Sequence, residues 1–221
     1  MEIIIHNDIK QAIPHFKLGV IHYTGINVDQ SPLMLKGRLR LFQEKIFFDL
    51  ENKKVTELDS IQEWRQIFKA VGCDPNRYRP SNEALFRRLQ KQQFLNYVNS
   101  AVDLNNFFSL QYEIPFGIYD SDQISGNVIV KIGSDEDRYD AVNGRDVNMK
   151  NKLLTADDDG AFGSPYVDSK RTAVSFDTNN ALHLIYCRPS MELNEAKKMI
   201  DSIANMFTQI HGGDAKFNVI S

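Results

Sequence analysis

Three polar side chains lie within an otherwise apolar stretch near the middle of the sequence. Asn99, Asp103 and Asn106 are spaced by four and three residues, which would place them on one face of a helix predicted over residues 97–112. Buried polar groups need hydrogen-bond partners, which can belong to a neighbouring backbone segment or to a ligand. Two interpretations therefore stay open: Asp103 and Asn106 hold the turn that follows the helix, or Asn106 points with Asn105 into a pocket.

A second group of reactive side chains occurs in a loop predicted between two strands. Asp168, Ser169, Arg171 and Thr172 fall within five residues of one another, and loops on a rigid scaffold often carry binding and catalytic residues. Asn106 offers an acceptor and two donors, and the planar guanidinium of Arg171 can hold a carboxylate or a phosphate. If Asn106 and this loop face one cavity, Asp168 would orient a water or the ammonium group of a bound amino acid.

Five cations within fifteen residues form a third candidate group, namely Arg77, Arg79, Arg87, Arg88 and Lys91. The first two lie in a loop and the others on the helix predicted to follow it. The cluster could bind RNA phosphates, or it could be a solvated surface paired with neighbouring acids. Because the net charge of the chain is −3, any RNA contact should be small and local.

The composition is that of a globular protein, with 42% hydrophobic and 25% charged residues. No apolar run approaches the length that a membrane helix requires and no signal peptide is evident, so we predict a cytoplasmic protein without a membrane partner. Cys73 and Cys187 are expected to be reduced thiols, although a disulfide between them stays open. Gly-rich nucleotide loops, nucleophile elbows and metal-binding pairs are absent from the sequence, so neither a cofactor nor a metal site is predicted.

The elements that would position these groups indicate a mixed α+β fold, with helices mainly in the first half and strands mainly in the second. Apolar spacings of three and four predict three further helices: residues 35–50, 61–71 and 193–210. Alternating segments predict strands at residues 2–6 and 17–24, paired with each other, and at residues 128–132 and 181–187. We expect one domain over residues 1–221, with residues 1–60 as its N-terminal portion and with mixed and antiparallel sheets packed against helices.

The segment from Arg88 to Asp120 resembles the start of a known tRNA-editing module, the B3/B4 domain of the phenylalanyl-tRNA synthetase beta subunit. In that family a basic Arg-Leu helix leads into a V-D-x-x-N helix and a P-x-x-x-x-D turn. The corresponding residues here are Arg88-Leu89, Val102 to Asn106 and Pro115 to Asp120. The resemblance covers about residues 60–190 and concerns this module alone, so the chain looks like a free-standing version of it.

The resemblance implies hydrolysis of the ester that joins a wrong amino acid to tRNA. Such an activated ester can be hydrolysed by positioning water and substrate, without a strong nucleophile. The family pocket uses a Thr-Asn pair, a His after the helix and a Glu on a later strand. By position, the pair becomes Asn105-Asn106, the His falls at Gly117 and the Glu falls near Leu184, so specificity for tyrosine is not expected.

We therefore predict a free-standing aminoacyl-tRNA deacylase that acts in trans on the aminoacylated 3′ end of a tRNA, with an amino acid as ligand and no role for DNA. Two alternatives stay open: a non-catalytic module that binds an amino acid or a tRNA end, and a hydrolase of a small ester or amide. The expected catalytic residues are Asn106, Asp168 and Thr172. The expected substrate-binding residues are Asp103, Asn105, Asp120, Ser169 and Arg171, and the five cations are the expected RNA-binding residues.

Overall fold

The computed structural model describes residues 1–221 and has the mixed α+β fold that the sequence predicts. Its helices are α1 (Asn7–Ala12), α2 (Leu33–Asp49), α3 (Asp59–Ala70), α4 (Ser81–Gln90), α5 (Ser100–Tyr112) and α6 (Leu193–His211). Its strands are β1 (Ile3–Ile5), β2 (Lys17–Thr24), β3 (Phe116–Asp120), β4 (Val128–Ile132), β5 (Arg138–Asp140), β6 (Asp146–Asn148), β7 (Leu153–Asp157), β8 (Gly160–Gly163), β9 (Asn180–Cys187) and β10 (Asp214–Ile220). None of the helices combines the length and the apolar character that crossing a membrane requires.

The strands form two four-stranded sheets and one hairpin. The central sheet has the order β10-β2-β9-β3 and is antiparallel throughout. The second sheet has the order β1-β4-β7-β8, in which only the β1 and β4 pair is parallel. Strands β5 and β6 form the predicted Asn-Gly hairpin, whose Gly144 has a φ of 82°. The predicted pairing of β1 with β2 is wrong, because β10 and β9 occupy both edges of β2.

Side-chain alternation along β9 places the central sheet between two layers. On one face, the His183 ring lies near Phe108 of α5 and Phe207 of α6. On the opposite face, the hydroxyl of Tyr186 lies 3.0 Å from that of Thr155 on β7. Helices α5 and α6 therefore cover one face of the central sheet, and the second sheet covers the other.

The largest cluster of buried apolar side chains contains 42 residues and runs from Ile5 to Phe207. Leu35 and Leu39 of α2 and Trp64 of α3 belong to it, together with strands of both sheets. The core thus continues through the helix-rich and the strand-rich halves of the chain. Both cysteines are buried free thiols.

Helix α5 begins three residues later than predicted. Asn99 is its N-cap, because its side-chain oxygen accepts a hydrogen bond from the Val102 N–H at 2.9 Å. The Val98 N–H donates to Asp103 Oδ1 at 2.9 Å, which holds the preceding segment outside the helix. Asn99 therefore does not share a helix face with Asp103 and Asn106.

Candidate functional site

The five cations predicted to lie together do so, along an open cleft of about 440 Å³. Helix α4, the loop before it, the β5–β6 hairpin and the loop after β8 form its walls. The Ser81 N–H donates to the Pro165 carbonyl at 2.7 Å, which fixes the start of α4 against the loop after β8. We call this surface the cationic cleft; its polar and aromatic lining consists of Arg77, Arg79, Arg87, Arg88, Lys91, Gln93, Asn143, Arg145 and Tyr166.

Most of the cations in the cationic cleft have no acidic partner. Arg87 is the exception, since its Nε donates to Glu83 Oε1 at 2.8 Å, and Glu83 also binds Arg65. No carboxylate lies within 4.0 Å of the other five, which are Arg77, Arg79, Arg88, Lys91 and Arg145. Of the two interpretations of this cluster, pairing with neighbouring acids therefore applies to Arg87 alone. Exposed, unpaired like charges around a concave surface create a local positive potential that attracts anions.

Arg145 and Tyr166 are among the members of the cationic cleft that the sequence did not predict, as are Gln93 and Asn143. The Asn143-Gly144 turn signal identifies the hairpin that carries Arg145. It does not say which surface the hairpin lies on, because that depends on contacts between residues more than fifty positions apart. The Tyr166 ring packs edge-on against Tyr78 at 5.5 Å and so links the two loops of the cleft.

Asp103 supports local structure rather than a ligand. Its Oδ1 accepts from the Val98 N–H, and its Oδ2 accepts from the Ser31 hydroxyl at 2.6 Å. Both carboxylate oxygens are thus used inside the protein, and the side chain is buried. The turn that it holds precedes the helix rather than following it, and its role in substrate binding stays a prediction.

The two adjacent amides on α5 have different surroundings. Asn105 Oδ1 lies 3.2 Å from His183 Nε2, and Tyr23 Oη lies 3.4 Å from Nδ1 of the same imidazole. Burial lowers the pKa of His183 to about 3, so this ring is neutral and structural. Asn106 lines a cavity of about 20 Å³ between α2 and α5. That volume suffices for about one water molecule and not for an amino acid.

The family positions at Gly117 and Leu184 lie directly opposite each other on β3 and β9. The space in front of Gly117 is occupied by the hydroxyl end of Tyr119, and a Cβ atom at Gly117 or at Gly163 would overlap it. The Tyr119 O–H donates to Asp168 Oδ1 at 2.8 Å. A tyrosine from two residues along the same strand thus fills the volume that a side chain at position 117 would need.

This arrangement also changes the pKa of Asp168. Burial raises its pKa to about 7, although hydrogen bonds from Tyr119 and from the Ser164 N–H favour the ionised form. Its Oδ2 makes no hydrogen bond within the protein. Asp168 also follows Val167, which lines the cationic cleft. The half-buried carboxyl itself points towards Tyr119, so Asp168 is next to the cleft in sequence but is not among the residues that line it.

The predicted shared pocket of Asn106 and Asp168 does not exist. Asn105 binds His183 on the helix-covered face of β9, and Asn106 lies beyond it against α2. Tyr119 binds Asp168 on the opposite face, towards the second sheet. The central sheet separates the two side chains, so they cannot act on one bound molecule at the same time.

The other predicted loop residues are occupied internally. Arg171 does not offer a free guanidinium, because its Nη1 and Nη2 bind the two oxygens of Asp157 at 2.9 and 2.7 Å. Asp120 accepts from the Thr178 hydroxyl at 2.7 Å and from the Asp122 N–H at 3.0 Å. Both side chains are thus engaged within the protein, and the substrate contacts predicted for them stay predictions.

Ser169 and Thr172 are buried residues of the same loop. The Ser169 hydroxyl oxygen accepts from the Arg171 N–H at 2.9 Å, which shapes the loop. The Thr172 carbonyl accepts from the Asp120 N–H at 2.9 Å, while its own hydroxyl has no partner. Neither residue contacts Asp168 through a side-chain hydrogen bond, so of the loop only Asp168 stays a candidate for chemistry.

This chain is similar to a known domain family and to several known proteins. A family model described as the B3/4 domain matches residues 63–210. The uncharacterized protein YhzB of Bacillus subtilis (strain 168) is 32% identical over 213 residues, which are 96% of each chain. The beta subunit of phenylalanine–tRNA ligase from Fusobacterium nucleatum is 25% identical over 151 residues, and the match spans 57% of this chain and 19% of that subunit. A solved N-terminal fragment of the phenylalanyl-tRNA synthetase beta subunit from Pyrococcus horikoshii aligns with 97% of this chain and 50% of that chain, with a TM-score of 0.47 and 13% identity.

Proposed function

This chain belongs to the B3/4 domain family, and we propose that it acts as a free-standing editing-type domain that hydrolyses mischarged aminoacyl-tRNA in trans. The observation that carries the proposal is the cationic cleft, in which five cations lack acidic partners and whose lining residue Val167 directly precedes the half-buried Asp168. An RNA end offers both of the chemical groups that this surface suits, namely phosphates and an ester. The cleft is local, which agrees with the net charge of −3.

The cationic cleft supports binding of the acceptor end of a tRNA. Its exposed arginines and lysine come from three separate segments of chain, so they can contact several successive phosphates. Tyr166 adds an aromatic ring to the same surface, and unpaired bases stack on such rings. A single-stranded 3′ end has exposed bases and phosphates together.

Asp168 is the group that we assign to the hydrolytic step. A general base works best when its pKa lies near the operating pH, and burial raises that of Asp168 to about 7. Its free Oδ2 could accept a proton from a water that attacks the ester carbonyl. Deacylation above the spontaneous rate should therefore increase as the pH rises through about 7, because the carboxylate form is required.

The test is incubation of the purified protein with a panel of mischarged tRNAs and, separately, with small aminoacyl esters that lack RNA. The proposal predicts release of the amino acid from at least one tRNA, and a loss of about 10²-fold or more in the Asp168→Asn variant. Hydrolysis of the small esters at an equal rate would instead identify a small-metabolite hydrolase. Unchanged activity in the variant would remove Asp168 from the mechanism.

A non-catalytic tRNA-binding module is the second candidate, and one observation favours it. The positions that hold His and Glu in the family pocket are Gly117 and Leu184 here, and Tyr119 fills the space in front of Gly117. This candidate predicts that mischarged tRNA binds at the cationic cleft and remains charged. Binding without release of amino acid across the whole panel would establish it in place of the deacylase.

A further inference from the structure

Helix α2 presents an apolar stripe to solvent. Met34, Leu41 and Phe48 recur every seven residues, and 76%, 68% and 65% of their respective surfaces are exposed. The opposite face of the helix carries the buried residues that join it to the rest of the protein, including Leu35 and Ile46. Large apolar side chains are seldom left exposed in a row on one helix, and such rows often mark interaction surfaces.

The sequence along this stripe is symmetric about its centre. Leu41 is the midpoint of α2, which runs from Leu33 to Asp49. If two copies of the helix lie antiparallel with their Leu41 residues opposed, Met34 of each copy faces Phe48 of the other. The same register places Arg38 opposite Glu44. Apolar residues thus meet apolar residues, and a cation meets an acid, at every one of these positions.

We propose that α2 is a self-association surface, at which two copies of this chain pair antiparallel about a two-fold axis through Leu41. A two-fold interface uses the same patch on both copies and must therefore be complementary to itself. The stripe meets that condition in both apolar character and charge. Gly37 strengthens the fit, because a Cβ at that position would meet nothing within 4 Å in the single chain. In the proposed dimer, the space left by the missing side chain of Gly37 in one copy lies opposite the aliphatic part of the Lys45 side chain in the other copy.

The charges are available for such a pairing. Arg38 has no carboxylate within 4.0 Å in the single chain, and its partner across the axis would be Glu44. Glu44 already accepts from Arg40 of its own helix at 2.6 Å, and a carboxylate can accept from a second donor. A parallel pairing would instead place Arg38 against Arg38, which the charges disfavour.

The size of the surface sets the expected strength. A helix of 17 residues is about 25 Å long, and one helix face buries less than the roughly 800 Å² per partner of a standard interface. The proposal is therefore a weak and reversible dimer, with a dissociation constant on the order of micromolar. It does not depend on the proposed function, since α2 contributes no residue to the cationic cleft.

Sedimentation equilibrium over a range of protein concentrations tests the proposal. Wild-type protein should change from monomer to dimer as its concentration rises, and Leu41→Lys should remain monomeric throughout. Phe217→Lys is the control, because Phe217 is an exposed apolar residue on β10, away from α2, and this variant should dimerise as the wild type does. A wild-type protein that stays monomeric to about 10⁻³ M would overturn the proposal, as would a dimer that Leu41→Lys leaves intact.

Charge exchange tests the antiparallel register. Arg38→Glu and Glu44→Arg should each weaken the dimer by about tenfold or more, because each places like charges across the axis. An equimolar mixture of the two variants should associate more strongly than either alone, since every facing pair in the mixed dimer is then of opposite charge. Equal association of the mixture and of the separate variants would contradict this register. Assembly of wild-type protein into larger species instead of a dimer would show that a different surface drives association.

Discussion

Asp168 is a carboxyl whose charge at neutral pH depends on its burial in the fold. It lies between the two sheets, where Tyr119 donates a hydrogen bond to it and burial raises its pKa to about 7. On the other face of the central sheet, burial lowers the pKa of His183 to about 3. The two groups therefore favour their neutral forms in the folded protein and give opposite dependences of stability on pH.

Replacing Asp168 with Asn should change the pH dependence of the unfolding free energy. The folded pKa of Asp168 is above the unfolded value near 3.8, so its contribution is present at low pH and is lost as the pH rises from about 4 to about 7. His183 has the opposite sign, and its contribution is lost as the pH falls from about 6.5 to about 3. Urea denaturation at several pH values should show a steeper increase in stability between pH 4 and pH 6.5 in Asp168→Asn than in the wild type. Parallel curves for the two proteins would show that Asp168 has an ordinary pKa.

Gly117 should be required for packing against Tyr119. A Cβ atom at Gly117 would overlap the Tyr119 hydroxyl, so Gly117→Ala should reduce the unfolding free energy by about 1–3 kcal/mol. Gly37→Ala is the matched control, because its Cβ would meet open solvent and a helix interior favours Ala by about 1 kcal/mol. In a double-mutant cycle, Tyr119→Ala should recover part of the Gly117→Ala loss. Additive losses in that cycle would show that the two residues do not compete for space.

Two polar residues of helix α5, Asp103 and Asn106, have different structural roles. Asp103 accepts two hydrogen bonds at the start of the helix, from the Val98 N–H and the Ser31 hydroxyl. The Asn106 side chain, one turn later, makes no hydrogen bond within the protein and lines a small cavity. The spacing of the two residues is visible in the sequence, but the segments that meet them are not.

Truncation of these two residues should therefore affect stability unequally. Asp103→Ala leaves the part-buried Val98 N–H and the buried Ser31 hydroxyl without a partner, which should reduce the unfolding free energy by about 1–3 kcal/mol. Asn106→Ala removes no hydrogen bond within the protein and should change it by less than about 0.5 kcal/mol. Thermal unfolding of both variants measures the difference. Equal destabilisation would mean that Asn106 also holds a backbone segment.

Local sequence patterns predicted most helices and strands, but they did not predict which strands pair over long distances in the sequence. The apolar spacing of α2 and α6 and the Asn143-Gly144 turn each express a structure that neighbouring residues determine. The pairing of β1 with β4 joins Ile3 to Val128, and no local signal specifies such a partner. The same dependence on long-range contacts explains why only part of the candidate site was predicted. The cations of residues 77–91 are close in sequence and were found together, whereas Arg145 reaches them only through the fold.

At the scale of the whole molecule, the cationic cleft joins parts of the chain that the fold brings together. Helix α4, the β5–β6 hairpin and the loop after β8 all contribute to it, and the loop ends at Asp168. The rest of the protein is acidic enough to give a net charge of −3 despite this cluster. An anionic partner should therefore bind at this surface in preference to the acidic parts of the molecule.

The measurement that tests this account most directly is the salt dependence of tRNA binding by the wild type and by two charge-reversed variants. Arg88→Glu with Lys91→Glu removes two unpaired cations of the cleft. Lys197→Glu with Lys198→Glu makes the same change in charge on the exposed face of α6 and serves as the control. Each phosphate contact that is lost should flatten the log–log dependence of affinity on salt by about 0.7 to 0.9. We predict weaker binding and a flatter slope for the cleft variant alone; equal slopes for all three proteins would contradict the assignment of the cationic cleft as the tRNA-binding site.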